Sequence, residues 1–328
     1  MAEHDRRELF TRFYNEDCVE GARKHLDDGS VDLIITDPPY GIEGDKLHRH
    51  YNRDESFVID GYVEVPAREY AAFSERWTRQ AARVLRPGGS MYLVTGWTHL
   101  RAVLNAVART GLELVNHLVW KYNFGVFTEK KFVTSHYHIL YLVKPGAPPT
   151  FNTYARFAPS QKTADGGSVL YRDLEDVWII DREYKHGQVR HKNQLPTDLL
   201  VKMIQYSSHE RDVVCDFFAG SFSTARVARA MNRSSISFEL GKEAFRHQVP
   251  LVEAVEWGEM LSRLPTGRDD RPAKTNAPWS EEELARLAAA YKAHRAKGLN
   301  KRAAIERLQQ NFERGYFAVL NALKRQGL

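Results

Sequence analysis

Six residues, Val31-Asp32-Leu33-Ile34-Ile35-Thr36, form a nearly continuous apolar run that stops at Asp37-Pro38-Pro39-Tyr40. An apolar run closed by prolines reads as a strand, here one of an open α/β sheet. Ligands of such open sheets sit beyond the carboxyl ends of the strands. Two prolines fix the backbone there, so that a carbonyl and the Asp37 carboxylate can point the same way. One planar NH₂ group could donate to both, and Tyr40 offers a face on which a flat ring can stack. These pieces suit the amine of a nucleobase.

The surrounding pattern continues the alternation of strand and helix. Residues 9–14 read as a strand, Asp17-Cys18 open a helix over 19–26, and Gly29-Ser30 separate it from the apolar run. The next segment, 41–66, is polar and irregular, with a cluster of Lys46, His48, Arg49, His50, Tyr51, Asn52 and Arg53. A loop that long is functional or disordered as a rule. Helical spacing returns over 68–85 and is stopped by Arg86-Pro87-Gly88-Gly89. A strand over 90–95, a helix over 100–110 and strands over 112–120 and 136–143 follow.

Residues 145–192 lose periodicity and read as an inserted recognition region. Regularity resumes with a helix over 196–207, a strand over 212–217, a helix over 225–231 and a strand over 234–239. Between strand and helix lies Asp216-Phe217-Phe218-Ala219-Gly220-Ser221-Phe222-Ser223-Thr224, whose small residues let a cofactor approach the backbone and the helix amino terminus. Glu239 ends the next strand about 20 residues on, the arrangement that hydrogen-bonds a ribose. The turn without that acid would be an ordinary tight connection.

Residues 258–278 carry few apolar side chains and resemble a linker. Beyond them, Trp279-Ser280 and Glu281–Glu283 look like a capped helix start, with Leu284, Leu287, Ala288 and Tyr291 as its apolar stripe. Asn300 caps a second helix to Phe312, and Gly315 precedes a third. Three short helices rich in Lys and Arg allow a small DNA-binding module or, equally, a solvated cap or dimerisation element.

The net charge of +5 and pI near 9.0 favour a polyanionic partner but are weak evidence alone. The two cysteines, Cys18 and Cys215, have no paired spacing, so reduced, unligated thiols are expected and no metal site. No apolar stretch approaches the roughly 20 residues of a membrane span and no apolar signal region opens the chain, which points to the cytoplasm.

Taken together, these tracts resemble the S-adenosylmethionine-dependent DNA amino-methyltransferases of restriction-modification type. Asp37 to Tyr40 is similar to the family's (D/N/S)PPY motif, and Asp216 to Thr224 to its DPFxGSGTT loop. His191-Lys192-Asn193-Gln194-Leu195-Pro196 resembles its HxxQKP tract. The catalytic tract precedes the cofactor tract, which is the permuted β-class order. The resemblance implies a Rossmann-like α/β fold with a mixed, mostly parallel central sheet flanked by helices. It also implies a permuted methyltransferase domain over 1–257, made of a catalytic half (10–144), a recognition insert (145–190) and a cofactor half (191–257). A linker (258–278) and a helical extension (279–328) complete the chain.

By the same resemblance, Asp37, Pro38, Pro39 and Tyr40 are catalytic. The Asp37 carboxylate and Pro38 carbonyl accept hydrogen bonds from the exocyclic amine, and Tyr40 stacks on a base flipped from duplex DNA. S-adenosylmethionine is expected against Asp216, Phe218, Ala219, Gly220, Ser221, Thr224, Glu239, Asn193 and Gln194. Asp17 either lies near its adenine or serves only as a helix cap. Lys46, His48, Arg49, Tyr51, Asn52 and Arg53 are candidates to close over DNA. Tyr137 or His136 either lines the base pocket or packs; Trp77 and Trp120 are assigned to the core. Phe222 stands where the family has glycine and either crowds the cofactor or walls it.

The leading Asp37 leans toward adenine N6, whereas Asp37 to Ile42 with Tyr51 to Glu55 resembles a subgroup associated with cytosine N4. A homodimer and a cognate restriction endonuclease are compatible partners. A nucleic-acid-binding protein without catalysis, or methylation of RNA or of a protein amide, are the competing readings.

Overall fold

The computed structural model describes residues 8–41, 65–123, 125, 129–157, 171–183, 194–264, 278–312, 314 and 316–328. The chain divides into a sheet unit, Met1–Phe157 with Ser168–Thr266, and a helical unit, Ala158–Gly167 with Gly267–Leu328.

In chain order the sheet unit runs β1 (Thr11–Tyr14), α1 (Cys18–His25), β2 (Val31–Thr36), α2 (Tyr70–Val84), β3 (Leu85–Thr95) and α3 (Leu100–Ala108). It continues with β4 (Glu113–Lys121), β5 (His136–Val143), β6 (Val177–Ile179), α4 (Thr197–Ser207), β7 (Val213–Asp216), α5 (Ser223–Ala230), β8 (Ser234–Phe238) and α6 (Lys242–Glu253). The sheet order is β1-β8-β7-β2-β3-β5-β4-β6. Only β5 pairs antiparallel, with β3 and β4, so the described sheet is mixed and mostly parallel as expected.

Every residue of β2 is buried, as its apolar run requires. Leu33 and Ile35 pack with α4 and α5 residues such as Leu200 and Ala228 on one face. Ile34 joins Ala22, Trp77 and Val103 on the other. A register shift against β3 between Val31 and Leu33 turns Val31 to the same face as Ile34. Asp32 sits within that irregularity, where its carboxylate accepts from Arg86 Nε at 2.6 Å and from the Val213 amide at 2.8 Å. A buried carboxylate without such partners would cost several kcal/mol, roughly 3–5 on breaking the pair. Asp32 thus ties β2 to both of its neighbours. Trp77 and Trp120 lie in the core, as read from the sequence.

Three sequence expectations shift. Arg86-Pro87-Gly88-Gly89 does not separate helix from strand: β3 begins at Leu85 opposite Val31, and Gly88 N–H donates to Lys144 O at 2.8 Å. A Cβ on Gly89 would meet the carbonyls of Arg86 and Asp32 at 2.9 Å, so glycine there permits pairing rather than stopping it. The insert is partly core, since Phe157 is fully buried and β6 extends the sheet beside β4. Asp173 anchors it, accepting from Tyr206 Oη at 2.5 Å and Arg156 Nε at 2.9 Å. The segment read as linker starts inside the sheet unit: Gly258 and Met260 amides donate to Arg229 and Ala230 carbonyls, and Met260, Leu261 and Leu264 pack on the core.

The helical unit contains α7 (Glu281–Ala296), α8 (Lys301–Phe312) and α9 (Tyr316–Arg325). The expected capping box is present, Ser280 Oγ accepting from the Glu283 amide while Glu283 accepts from the Ser280 amide. Leu287, Tyr291, Ile305, Leu308, Val319 and Leu323 make a core of their own. Among the described residues of the chain, no helix is long and apolar enough to cross a membrane.

Candidate active site

Strand connections leave β2 in one direction, to β3, and leave β7 in the other, to β8, so the sheet's switch point falls between β2 and β7. These two strands are parallel neighbours, Leu33 opposite Val214 and Ile34 opposite Cys215. Their carboxyl ends therefore deliver Asp37 and Asp216 to one crevice, where ligands of open sheets bind. A chamber enclosing about 1000 Å³, its open mouth included, lies there. It is lined by Asp37, Pro38, Pro39 and Tyr40 from one tract and by Asp216 to Ser221, Ser223, Thr224 and Glu239 from the other.

The Asp216 carboxylate organises the second tract. It accepts from Thr36 Oγ1 at 3.1 Å, the Phe218 amide at 3.1 Å and Thr224 Oγ1 at 2.8 Å. Burial pushes it up to about 6 against the pull of those donors. Its bonds join the end of β2, the turn after β7 and the start of α5, so Asp216 shapes the chamber wall. Gly220 adopts a left-handed φ of 49° and donates its amide to Glu239 Oε2 at 2.7 Å. The other Glu239 oxygen accepts from the Gly241 amide at 2.6 Å, which fixes the carboxylate at the chamber's edge. Burial raises the Glu239 carboxyl, opposed by the amides of Gly241, Gly220 and Leu240.

At the end of β2, Tyr40 Oη donates to Asp37 Oδ1 at 2.5 Å. Burial is the main cause that pushes the Asp37 carboxyl up to about 7; Tyr40 opposes it, Asp216 adds to it, and Arg182 pulls down. One face of Tyr40 is covered by Tyr137, with ring centroids 5.3 Å apart. Tyr137 accepts from Arg182 Nη2 at 2.9 Å, and the guanidinium lies over the rings of Tyr122, Tyr137 and Trp120 at 4.7, 5.2 and 5.9 Å. A single chain of contacts thus leads from the insert to the Asp37 carboxylate. Sequence reading missed Arg182, because a lone arginine in an aperiodic stretch carries no signal of where it folds.

Other candidates separate. Phe218, Ala219 and Ser221 line the chamber. Asp17 also lines it, but its carboxylate caps α1 by accepting from the Val19 and Glu20 amides. Gln194 is exposed and is not a lining residue; its neighbour Leu195 lines the chamber instead, because the chain enters α4 there and turns its apolar side inward. Asn193 and the loop residues Lys46, His48, Arg49, Tyr51, Asn52 and Arg53 lie outside the described residues. His136 packs edge-on against His138, leaving Tyr137 as the residue beside Tyr40. Glu16, Phe73 and Leu240 line the chamber without any sequence motif to announce them.

Phe222 neither crowds the chamber nor walls it. It sits at a left-handed φ of 55°, is fully buried, and packs against Phe13 and Phe245 beneath the turn. The ring that glycine would lack fills the space between the turn, β1 and α6. With it turned away, the ground for expecting impaired cofactor binding at this position disappears. The thiols of Cys18 and Cys215 are both raised by burial, which leaves neither as a nucleophile at neutral pH. Among the described residues no group of acids, histidines and cysteines could hold a metal ion.

Known proteins are similar to this chain in sequence and in fold. The chain is 29% identical over 225 residues to the type II methyltransferase M.HpaI of Haemophilus parainfluenzae, covering 68% of each. It is 30% identical over 248 residues to the type II methyltransferase M.BamHI of Bacillus amyloliquefaciens, covering 70% of this chain and 54% of that protein. The fold is similar to that of the cytosine-N4-specific PvuII DNA methyltransferase, with a TM-score of 0.55 at 17% identity over 74% of this chain and 89% of that one. A candidate DNA modification methylase of Thermus thermophilus, solved with S-adenosyl-L-methionine, has a TM-score of 0.53 at 20% identity over 74% and 93%. The family model for N6 and N4 DNA methylases matches residues 31–249, a span that starts at β2, takes in both tracts of the chamber and ends in α6. By that match the chain belongs to the DNA methylase family.

Proposed function

We propose that this protein transfers a methyl group from S-adenosylmethionine to the exocyclic amine of a base flipped out of duplex DNA, cytosine N4 or adenine N6. The observation that carries this reading is the common chamber: the amine-clamping tract after β2 and the small-residue turn after β7 line one space.

The lining fits the cofactor. Five acidic residues, Glu16, Asp17, Asp37, Asp216 and Glu239, line a chamber whose other walls include Phe73, Leu195, Phe218 and Leu240. Negative charge suits an ammonium and a sulfonium, and apolar walls suit a purine. Glu239, held by two amides, would take the ribose hydroxyls, and the Ala219-Gly220-Ser221 backbone would line the methionine end. The bound cofactor supplies an electrophilic methyl on a positively charged sulfur.

The chain's own residues handle the amine. An ionised Asp37 accepts a hydrogen bond from the target NH₂, as does the Pro38 carbonyl, which draws the nitrogen out of conjugation with its ring and frees its lone pair. Much of the rate then comes from positioning. The upward push on Asp37 also suits it to receive the proton that the methylated amine sheds. No cysteine nucleophile is required, in keeping with two buried thiols.

The test is incubation of unmethylated duplex DNA with labelled cofactor, followed by mass spectrometry of the digested nucleosides. N4-methylcytosine or N6-methyladenine is expected, and Asp37→Ala should abolish it. Label appearing only in RNA or in protein, or in neither DNA base, would sink the reading.

A further inference from the structure

We propose that the helical unit is a phosphate grip that holds duplex DNA without regard to sequence and supplies most of the long-range attraction between the protein and its substrate. This rests on the function proposed above only for the identity of the polyanion.

The charge of the chain is unevenly placed. Residues 278–328 contain ten Lys and Arg against five Glu, and this excess of five equals that of the whole protein; the 277 preceding residues are balanced. Within the unit no acid occurs between Glu283 and Glu306, whereas Arg286, Lys292, Arg295, Lys297, Lys301 and Arg302 all do. All six are exposed. Gly298, at a φ of 82°, lies between α7 and α8, so Lys292, Arg295, Lys297, Lys301 and Arg302 flank one turn of the chain, within six residues of it.

Helix electrostatics account for part of this pattern and not for the rest. Acids in the first turn of α7 and His294 and Arg295 in its last turn complement its dipole. Lys301 and Arg302 do the reverse: they open α8, whose first turn contains no acid, and so face the positive end of its dipole. Placing cations there works against the helix. Arg302 meets Glu306 at 2.9 Å with both side chains largely exposed, and an ion pair in that setting contributes little. A cation cluster maintained against helix stability is explained by an external polyanion. The unit can bear it because its own core and capping box hold it together. Two helices joined by three residues, α8 and α9, with Asn321, Lys324 and Arg325 exposed on the second, are also a build used on duplex DNA.

The test uses the full chain with Lys292→Gln, Arg295→Gln, Lys301→Gln and Arg302→Gln combined. Affinity for an unmethylated duplex is measured by anisotropy across a salt series. Each phosphate contact contributes about 0.9 to the slope of log affinity on log salt, so the slope should fall by roughly 3–4. Calorimetric binding of S-adenosylmethionine should stay as in the parent. Removing four exposed arginines of the sheet unit, Arg76, Arg79, Arg109 and Arg246, changes net charge equally and should leave the slope nearly intact. If the quadruple variant fails to fold, Lys301→Gln with Arg302→Gln should still lower the slope by about 2. An unchanged slope, an equal fall in the arginine control, or single-stranded RNA competing better than duplex would overturn the proposal. A parent protein that grips duplex but methylates nothing would refute the proposed function and leave this inference standing.

Discussion

Tyr40→Phe isolates the contact at the centre of the chamber. The ring and its stacking on Tyr137 remain, and the 2.5 Å hydrogen bond to Asp37 is lost. That bond favours the ionised carboxylate against burial, which otherwise pushes Asp37 up to about 7. A hydrogen bond to a charged group contributes roughly 1.5–3 kcal/mol, equivalent to about 1–2 pH units. If catalysis needs Asp37 ionised, the acid limb of kcat/KM should lie near pH 7 in the parent and move up by that amount in the variant. At pH 7 activity would then drop from about half its plateau to ~1–10% of it, and would recover above pH 9. The assay is transfer of labelled methyl into duplex DNA at low substrate, from pH 5.5 to 9.5. A limb that stays in place, or a loss of the same size at every pH, would show that Tyr40 does not act through Asp37.

The same group governs stability. The folded Asp37 carboxyl lies near 7 and its unfolded value near 4, so the folded protein holds an extra proton between them and its stability falls as pH rises through that window. Asp37→Asn should therefore leave urea stability at pH 4 unchanged and raise it at pH 8 by about 2 kcal/mol, solvent in the chamber being allowed for; a variant no more stable at pH 8 contradicts the assigned burial. Arg182→Ala should move the kcat/KM limb upward and weaken duplex binding, with Arg182→Lys restoring the limb in part because charge near Asp37 returns while the planar contact with Tyr137 does not. Loss of folding without a shifted limb would reduce Arg182 to packing. Phe222→Gly relieves a left-handed backbone worth about 1–2 kcal/mol but removes a buried ring worth ~3–5, so urea melts should show a net loss of about 2–3. Calorimetry should find S-adenosylmethionine affinity nearly unchanged, and a large change in it at constant stability would put the ring back in the chamber.

What the sequence disclosed is local chemistry, and what it hid depends on neighbours in space. Val31–Thr36 announced itself because burial on both faces favours a nearly continuous apolar run, and Ser280 because an N-cap and its partner lie three residues apart. Asp37 and Asp216 could be ranked as candidates for the same reason: each stands where a strand ends and a constrained turn starts. Leu85 to Gly89 misled because Pro-Gly-Gly is punctuation in isolation, whereas here it pairs across to Val31 and Lys144, residues more than 50 positions away. Phe222 misled in the opposite direction. A phenylalanine where the family's motif has glycine suggested a ring that either crowds the cofactor or walls it; the turn, left-handed at this residue, points the ring down into a pocket made by Phe13 and Phe245. The site is therefore more tolerant than its motif suggests. What the turn must provide is the Gly220 conformation and the Asp216 bonds to Thr36, Phe218 and Thr224, and both survive a bulky neighbour provided that β1 and α6 leave room for it.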